Sequence, residues 1–567
     1  MRIPRLLTVL IAILALLAAA CSSGGDTTSA ADTLPEDDSG VDAGADPTSS
    51  DDGDVATPTT TPGTDTGPSD PPSDGPAAGG TLRIAVTDIG PLDPAATSLG
   101  SHGELVVADL LFDGLTSWDA TADELVGALA TDWTLSEDHD AWTFTLDPDA
   151  VFSDGTPVTA GAVKSSLERL VQADPASLAA TRLEFVTGFA AFADDDADEI
   201  EGLVAEDDDT LTIGLDRPLF ALPAILSSPV YGVVPDGGPQ GDGGLFAIVG
   251  SGPFVLDEFD DGVLTLLPAD AEDVWVDSVE IVAVDSEEIV AAVAEGDGDF
   301  DLVLVSHPAS HDLDDLSDTF LDVVATPFDA HVYLGLNAAA GALEDADLRA
   351  AVIAAVDTEA IVEEVYGPTA LPAEGLVPGW EACGDKCGGD PEAAAALLEG
   401  FDGDVPQVTI DYIDDDEFAD EATIARLVAD QLIDAGIPVK LRSWSVNAFV
   451  DRLVGGDLQV FRRGWVSVGT TPESYLGRYE TGGLDNLVGV SSRAVDDALE
   501  SARDADSLEE AEEAYASAEE AVLATGQVLP LADFVTLVGV GADVNGLTVR
   551  ADGTFDASAL WISPRGE

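Results

Sequence analysis

Two histidines, His307 and His311, have a spacing that could bind a metal ion. On a helix, residues four apart lie on one face, so both rings could contact the same ion. Pro308 between them is compatible only with the start of a helix. Solvated loop histidines are the alternative interpretation, and it is the one that we favour. We therefore expect no metal site.

The acidic residues Asp297, Asp299 and Asp301 alternate as in a calcium-binding loop. The glycine expected at position six is replaced by Leu302, and the closing glutamate is missing, so this interpretation fails. The chain has neither a Gly-x-Ser-x-Gly nucleophile motif nor a Walker-type phosphate loop. The Gly-Val-Gly run at 539–541 is an incomplete dinucleotide pattern. We expect no enzyme and no cofactor.

The chain has three cysteines, and two of them, Cys383 and Cys387, stand close together. A zinc site would require more ligands, and no histidine is nearby in the sequence. Outside the cytoplasm a local disulfide is the expected state. The closed loop is short, so we expect only modest stabilisation from it.

The charge balance is strongly acidic, with 20 Lys and Arg against 111 Asp and Glu and a net charge of −91. Nucleic-acid binding requires clustered cations, so that function is excluded. Anionic lipid headgroups would be repelled for the same reason. The self-repulsion indicates either a saline habitat or a general acidic bias of the source proteome.

The N-terminus has the pattern of an export signal. An apolar run at 6–20 follows a short basic start and ends at Cys21. Its 15 residues are too few to span a bilayer but fit a secretory signal. The Ala-Ala-Ala-Cys ending resembles a bacterial lipobox, with Ala18 where Leu is usual. This predicts a lipidated Cys21 and a membrane anchor; cleavage of an ordinary secretory signal is the alternative.

The helices and strands that would position a functional site are predicted to begin after residue 80. Residues 22–80 are rich in Asp, Ser, Thr, Gly and Pro and have few large apolar side chains, which predicts a disordered acidic linker. Polar and apolar residues alternate along Thr81–Val86, which predicts a first strand. Short strand-like runs then alternate with runs of helical period, which predicts an α/β fold. With 567 residues, the chain is too long for a single hydrophobic core.

Several motifs occur in a characteristic order. The most specific is AWTFTLDPDAVFSDGTPVTA at 141–160. It resembles the motif W-T-F-x-L-R-x-G-V-x-F-S-D-G-x-P-V-T-A of solute-binding protein family 5, the binding lipoproteins of peptide/nickel-type ABC importers. Further segments resemble motifs of the same family at 79–84, 92–94, 111–115, 129–133, 216–222, 250–256, 294–301, 333–337, 348–352 and 391–398.

The resemblance implies a two-lobed periplasmic-binding-protein fold with a hinge, of the cluster C type. Lobe I would comprise residues 81–327 and 529–567, with an extra subdomain at about 115–230. Lobe II would comprise residues 328–528. The chain would cross between the lobes near 324–328 and 529–531, and the ligand would bind in the cleft between them.

The resemblance also implies the ligand-binding residues. On lobe I they are the loop residues Leu99, Gly100, Ser101 and His102. On lobe II they are Arg462, Gly464, Trp465, Val466 and Val468.

In the peptide binders of this family, the Gly-Trp backbone hydrogen-bonds an extended peptide as an added strand. An Asp three residues after the Trp pairs there with the peptide ammonium, but this chain has Val468. Arg462 matches a position that can meet a ligand carboxylate; a surface ion pair is the alternative. His102 could line the cleft or be a plain turn residue, and Trp465 could stack on a ligand or lie in the core.

The resemblance thus implies the substrate-binding lipoprotein of an ABC importer, which captures a solute, in the first place a peptide or peptide-like molecule, in the interlobe cleft by hinge closure. The implied partners are an ABC permease and its ATPase, and the membrane through the lipid anchor. We expect a monomer, extracytoplasmic and tethered to the outer face of the bacterial cell membrane. Alternatives are a ligand-sensing or chaperone-like relative without transport, and a binder of a sugar or metal chelate.

Overall fold

The computed structural model describes the folded body in a set of ranges. These are residues 79–122, 124–173, 177, 179–240, 248–260, 262–270, 274–285, 289, 300–305, 322–384, 387–401, 403–414, 419–467, 471–483 and 486–563. The predicted signal, Cys21, most of the linker, His307, His311, Asp297, Asp299 and Val468 lie outside these ranges.

The strands in chain order are β1 (Thr81–Val86), β2 (Thr116–Asp119), β3 (Glu124–Gly127), β4 (Ala130–Leu135), β5 (Ala141–Leu146), β6 (Leu203–Ala205), β7 (Thr210–Gly214), β8 (Phe254–Asp260), β9 (Val263–Pro268), β10 (Ser278–Ala283), β11 (Leu302–Val305), β12 (Asp322–Leu336), β13 (Ala370–Pro372), β14 (Val408–Ile413), β15 (Val439–Trp444), β16 (Val460–Val466), β17 (Val528–Val540), β18 (Val544–Asn545) and β19 (Trp561–Ile562). The predicted first strand is confirmed by β1.

The α-helices are α1 (His102–Leu111), α2 (Ala160–Val171), α3 (Phe189–Ala193), α4 (Leu222–Ile225), α5 (Ala346–Ala355), α6 (Thr358–Val365), α7 (Pro391–Leu398), α8 (Ala419–Asp434), α9 (Val446–Val454), α10 (Pro472–Leu476), α11 (Arg493–Arg503) and α12 (Leu508–Leu523). Short 3-10 turns include Ala179–Phe185 and Gly477–Tyr479. No helix within the described ranges is both long and apolar enough to cross a membrane.

One large sheet runs through the described part of the chain in the order β15-β14-β16-β12-β17-β11-β1-β10-β9-β8, with β13 paired to β17. β1 is parallel to β10 and β11, and β14 is parallel to β15 and β16. Parallel neighbours require crossover connections, most often helices. This arrangement is the mixed α/β architecture that the sequence predicts.

The two longest strands, β12 and β17, run antiparallel through the middle of this sheet. The first part of β12 pairs with the last part of β17, next to β11 and β1. The last part of β12 pairs with the first part of β17, next to β16. The register shifts between Pro327 and His331. These strands therefore join the two halves of the sheet at the point where the regular ladder is interrupted.

A second sheet, in the order β4-β5-β7-β6, lies in the predicted subdomain. Trp142, Phe144 and Leu146 of β5 are buried, and the threonines between them are more exposed. This alternation buries one face of the strand. The limits of the subdomain and of the two lobes stay predictions.

Helix starts are fixed by side chains that accept backbone N–H groups. Ser101 caps α1, and Asp345, Asp357 and Asp390 cap α5, α6 and α7. Aspartate suits these positions because its carboxylate also interacts favourably with the positive end of the helix dipole. Cys383 and Cys387 are joined by a disulfide, with their Cα atoms 5.2 Å apart.

Candidate functional site

The Gly464-Trp465 segment lies on β16, which is antiparallel to β12 along its whole length. On its other side β16 pairs with β14 only at Val460 and Phe461. From Arg462 to Val466, no described strand pairs with this second edge. The backbone of the predicted ligand-binding segment is thus an open strand edge, which can accept a further extended chain.

Trp465 is 4% exposed and lies between two guanidinium groups. The guanidinium carbon of Arg478 lies 3.3 Å from the ring centroid, and that of Arg182 lies 5.0 Å from it. These distances are within cation–π range. Arg182 belongs to the 179–185 turn of the predicted subdomain, and Arg478 belongs to predicted lobe II. Trp465 therefore sits where segments assigned to different lobes meet.

Arg462 lies on the opposite face of β16 from Trp465, because side chains alternate along a strand. Its Nη1 atom is 2.8 Å from Glu421 Oε1 of α8, and its Nε atom is 3.1 Å from the Tyr366 hydroxyl. The structure thus places Arg462 in an ion pair, but in a largely buried one. Contact with a ligand carboxylate stays a prediction.

The first-lobe residues lie at the start of α1. Leu99 and Gly100 precede Ser101, whose hydroxyl accepts the Glu104 N–H. His102 is a buried residue of the helix rather than a turn residue, and its ring meets Phe328 of β12 edge to face, with centroids 4.4 Å apart. Burial lowers the pKa of His102 to about 4, although the charge of Asp552 opposes this. The ring is therefore neutral at pH 7.

Both predicted sets of residues meet β12. His102 contacts Phe328, and Trp465 is the register partner of His331. β12 therefore brings the two segments to the crossover region of the sheet. Of the predicted residues, Arg462 is directed away from Trp465, and Val468 lies outside the described residues.

A polar cluster that the sequence did not predict lies at the same crossover. His331 Nδ1 is 2.6 Å from Asp533 Oδ1, across β12 and β17. Glu519 of α12 is buried and accepts the N–H groups of Leu376 and Val377. Burial raises the pKa of Glu519, and the nearby His331 opposes this. Residues 528–540 are apolar apart from Thr536 and one acid, Asp533. This isolated acid is the sequence signal that could have indicated the cluster.

A second network that the sequence did not predict joins the predicted subdomain to residues 473–503 of predicted lobe II. Arg217 donates from Nη1 to both carboxylate oxygens of Glu480, each at 2.8 Å. Arg503 donates from Nη1 to Glu480 at 3.0 Å and from Nη2 to Glu473 at 2.7 Å. Burial alone would raise the pKa of Glu480, but Arg503 and Arg217 hold this pKa below its usual value. Nothing in the sequence could have selected these acids among so many.

Metal binding finds no support in the part of the chain that the structure describes, where no group of three or more His, Cys, Asp or Glu is arranged around a common point.

A two-lobed α/β fold with an open strand edge near its crossover strands defines an extracytoplasmic solute-binding protein. The chain matches the model of "Bacterial extracellular solute-binding proteins, family 5 Middle" over residues 124–486, and it belongs to that family. The predicted family and fold class are thereby confirmed. Because the members are transport binding proteins, the prediction that the chain is not an enzyme is also confirmed.

Relatives and solved structures agree with this assignment. The chain is 27% identical to the dipeptide-binding protein DppE of Bacillus subtilis over 66% of this chain and 73% of that protein. It is 27% identical to the periplasmic murein peptide-binding protein MppA of Escherichia coli over 78% and 85%. The unliganded open form of the murein tripeptide-binding protein MppA superposes with a TM-score of 0.72, at 23% identity, over 86% of this chain and 98% of that one.

Proposed function

We propose that this protein is the substrate-binding lipoprotein of an ABC importer that captures peptides or peptide-like solutes. It would hold the solute in the cleft between its lobes, close over it by hinge motion and deliver it to a membrane permease. Cys21 would carry the lipid anchor and the acidic linker would be the tether. The names of DppE and MppA, as dipeptide- and murein peptide-binding proteins, support the peptide class.

The observation that carries the proposal is the open edge of β16 from Arg462 to Val466. An extended peptide can add to such an edge through main-chain hydrogen bonds, which recognise any sequence. Side chains of the peptide would then alternate between the two faces of the added strand. The buried side chain of Trp465 lies on one of these faces.

Native mass spectrometry of the gently purified full-length chain tests the proposal. We expect a heterogeneous series of bound peptide masses, or retention of members of a defined tripeptide library. A single co-purified non-peptide mass, together with no retention of any library member, would contradict the peptide class.

Backbone methylation of the ligand tests strand addition directly. A tripeptide retained from the library is compared with versions N-methylated at one amide each, by isothermal titration calorimetry. Methylation at an amide that donates to β16 should weaken binding by about tenfold, since it removes a hydrogen bond and adds bulk. Methylation at an amide directed away from β16 is the control and should be tolerated. Equal tolerance at every amide would contradict strand addition.

A further inference from the structure

Two buried donors at Trp465 have no acceptor within the described residues. They are the indole Nε1 of Trp465 and the Nε of Arg182. Trp465 is 4% and Arg182 is 7% exposed. A buried N–H without an acceptor costs about 1–3 kcal/mol. Two such donors at one aromatic ring indicate an acceptor that comes from outside the chain.

The groups around this ring are positively charged, although the chain as a whole is strongly acidic. Two other buried arginines meet carboxylates: Arg503 meets Glu473, and Arg550 meets Asp109. Arg182 forms no salt bridge to a described carboxylate, and its hydrogen bond to the Ser474 carbonyl is long, at 3.5 Å. In a chain with 111 acidic residues, a buried guanidinium without a carboxylate partner is unexpected.

A second guanidinium reinforces the positive potential at the same place. Arg478 lies against Trp465 at 3.3 Å, and Arg182 lies 5.0 Å from the same ring centroid. A ligand ammonium here would be repelled by two cations, whereas a carboxylate would be attracted by both and could accept both N–H groups. The geometry therefore selects an anionic group over a cationic one.

We propose that Trp465 and Arg182 form a subsite for a carboxylate of the bound solute, with Arg478 adding positive charge beside it. The preferred ligands are then acidic peptides or other carboxylate-bearing solutes. This inference rests on the proposed function in that it places the solute beside β16. The carboxylate would accept hydrogen bonds from Trp465 Nε1 and Arg182 Nε, and so link segments assigned to different lobes.

Fluorine NMR of the full-length chain labelled with 5-fluorotryptophan tests the subsite. The chain has eight tryptophans, and Trp465→Phe identifies the resonance of Trp465 by its loss. The probe is glutarate, with the neutral diamide glutaramide as its matched control at constant ionic strength. Glutarate should shift the Trp465 resonance saturably, and glutaramide should leave it in place.

Two variants locate the effect. Arg182→Gln should weaken glutarate binding by about tenfold or more, as expected for loss of a charged hydrogen bond. Arg493→Gln changes the net charge equally at an exposed helix position and should leave binding unchanged. If Arg182→Gln fails to fold, Arg182→Lys keeps the charge but removes the Nε donor, and it should also weaken binding.

The outcomes separate this inference from the proposed function. No glutarate shift, an equal shift with glutaramide, or unchanged affinity in the Arg182 variants would overturn the subsite, whether or not peptides bind. A glutarate shift in a protein that retains no library peptide would sustain the subsite and remove the peptide class from the proposed function.

Discussion

The guanidinium of Arg503 is buried between two carboxylates, those of Glu473 and Glu480. The Tyr515 hydroxyl donates to the same Glu473 at 2.8 Å. Removing one partner of a buried ion pair leaves the other charge uncompensated, which costs far more than the pair itself contributes. Arg503 is therefore a position where a single substitution should be severe.

We expect Arg503→Met to lower the free energy of unfolding by about 3–5 kcal/mol, because Glu473 loses its buried counter-charge. The control is Arg493→Met, which breaks an exposed pair with Asp497 on α11 and should cost less than about 1 kcal/mol. Urea denaturation followed by circular dichroism measures both. Equally small effects would show that the buried pair is not needed.

Protonation of His102 makes the free energy of unfolding depend on pH. Its pKa is about 4 in the folded chain, against an ordinary value of 6.5 in an unfolded one, so only the unfolded chain binds the proton between these values. Stability from this group is present above pH 6.5 and is lost as the pH falls towards 4, by on the order of 3 kcal/mol.

We expect the free energy of unfolding of His102→Gln to fall less steeply than that of the wild type between pH 6.5 and pH 4. Carboxylates elsewhere act equally in both proteins, so the difference between the two urea-denaturation curves isolates His102. A difference that stays constant across this pH range would refute the assignment.

The alternating pattern at 81–86 predicted the strand β1, and the family resemblance marked the Gly-Trp segment that lies on β16. The partners of Trp465 could not be predicted, since Arg182 lies far away in the sequence and nothing local marks it. The ion pair of Arg462 was one of two interpretations, but its partner Glu421 could not be chosen from 111 acids. When many acids in a sequence could pair with one distant arginine, only the folded backbone decides which of them does.

At the scale of elements, α1 packs very closely against the end of β1. A Cβ atom on Gly103 would lie 2.0 Å from the Asp88 carbonyl oxygen and 3.0 Å from Val86 Cβ. Because the nearest obstacle is backbone, a side chain at this position must push the helix away from the sheet. The helix that carries His102 thus depends on this glycine.

We expect Gly103→Ala to destabilise the protein by about 1–3 kcal/mol through this overlap. Gly161→Ala is the matched control, on α2, where the added Cβ would lie 3.6 Å from its nearest neighbour, Thr159 Oγ1. There the higher helix propensity of alanine should stabilise by about 0.5–1 kcal/mol. Thermal unfolding compares the two, and the same sign for both would contradict the packing argument.

At the scale of the whole molecule, the net charge of −91 opposes compaction. Between about 0.01 M and 1 M salt the Debye length shortens from about 30 Å to about 3 Å, which weakens this self-repulsion.

We expect the unfolding midpoint to rise steadily over this salt range, and equally in NaCl and KCl, because screening does not depend on the cation. Thermal denaturation monitored by circular dichroism measures it. A midpoint that does not change with salt would argue against adaptation to a saline habitat, and a difference between the two salts would indicate specific ion binding instead.

The position of β17 has a consequence for the order in which the chain can fold during synthesis. β11 lies between β1 and β17, and β12 lies between β17 and β16. Both halves of the sheet therefore lack a central strand until residues 528–540 have left the ribosome. Such distant pairings form slowly. The newly made polypeptide therefore stays incompletely folded, with unpaired strand edges exposed, until this late strand has emerged and joined the two halves.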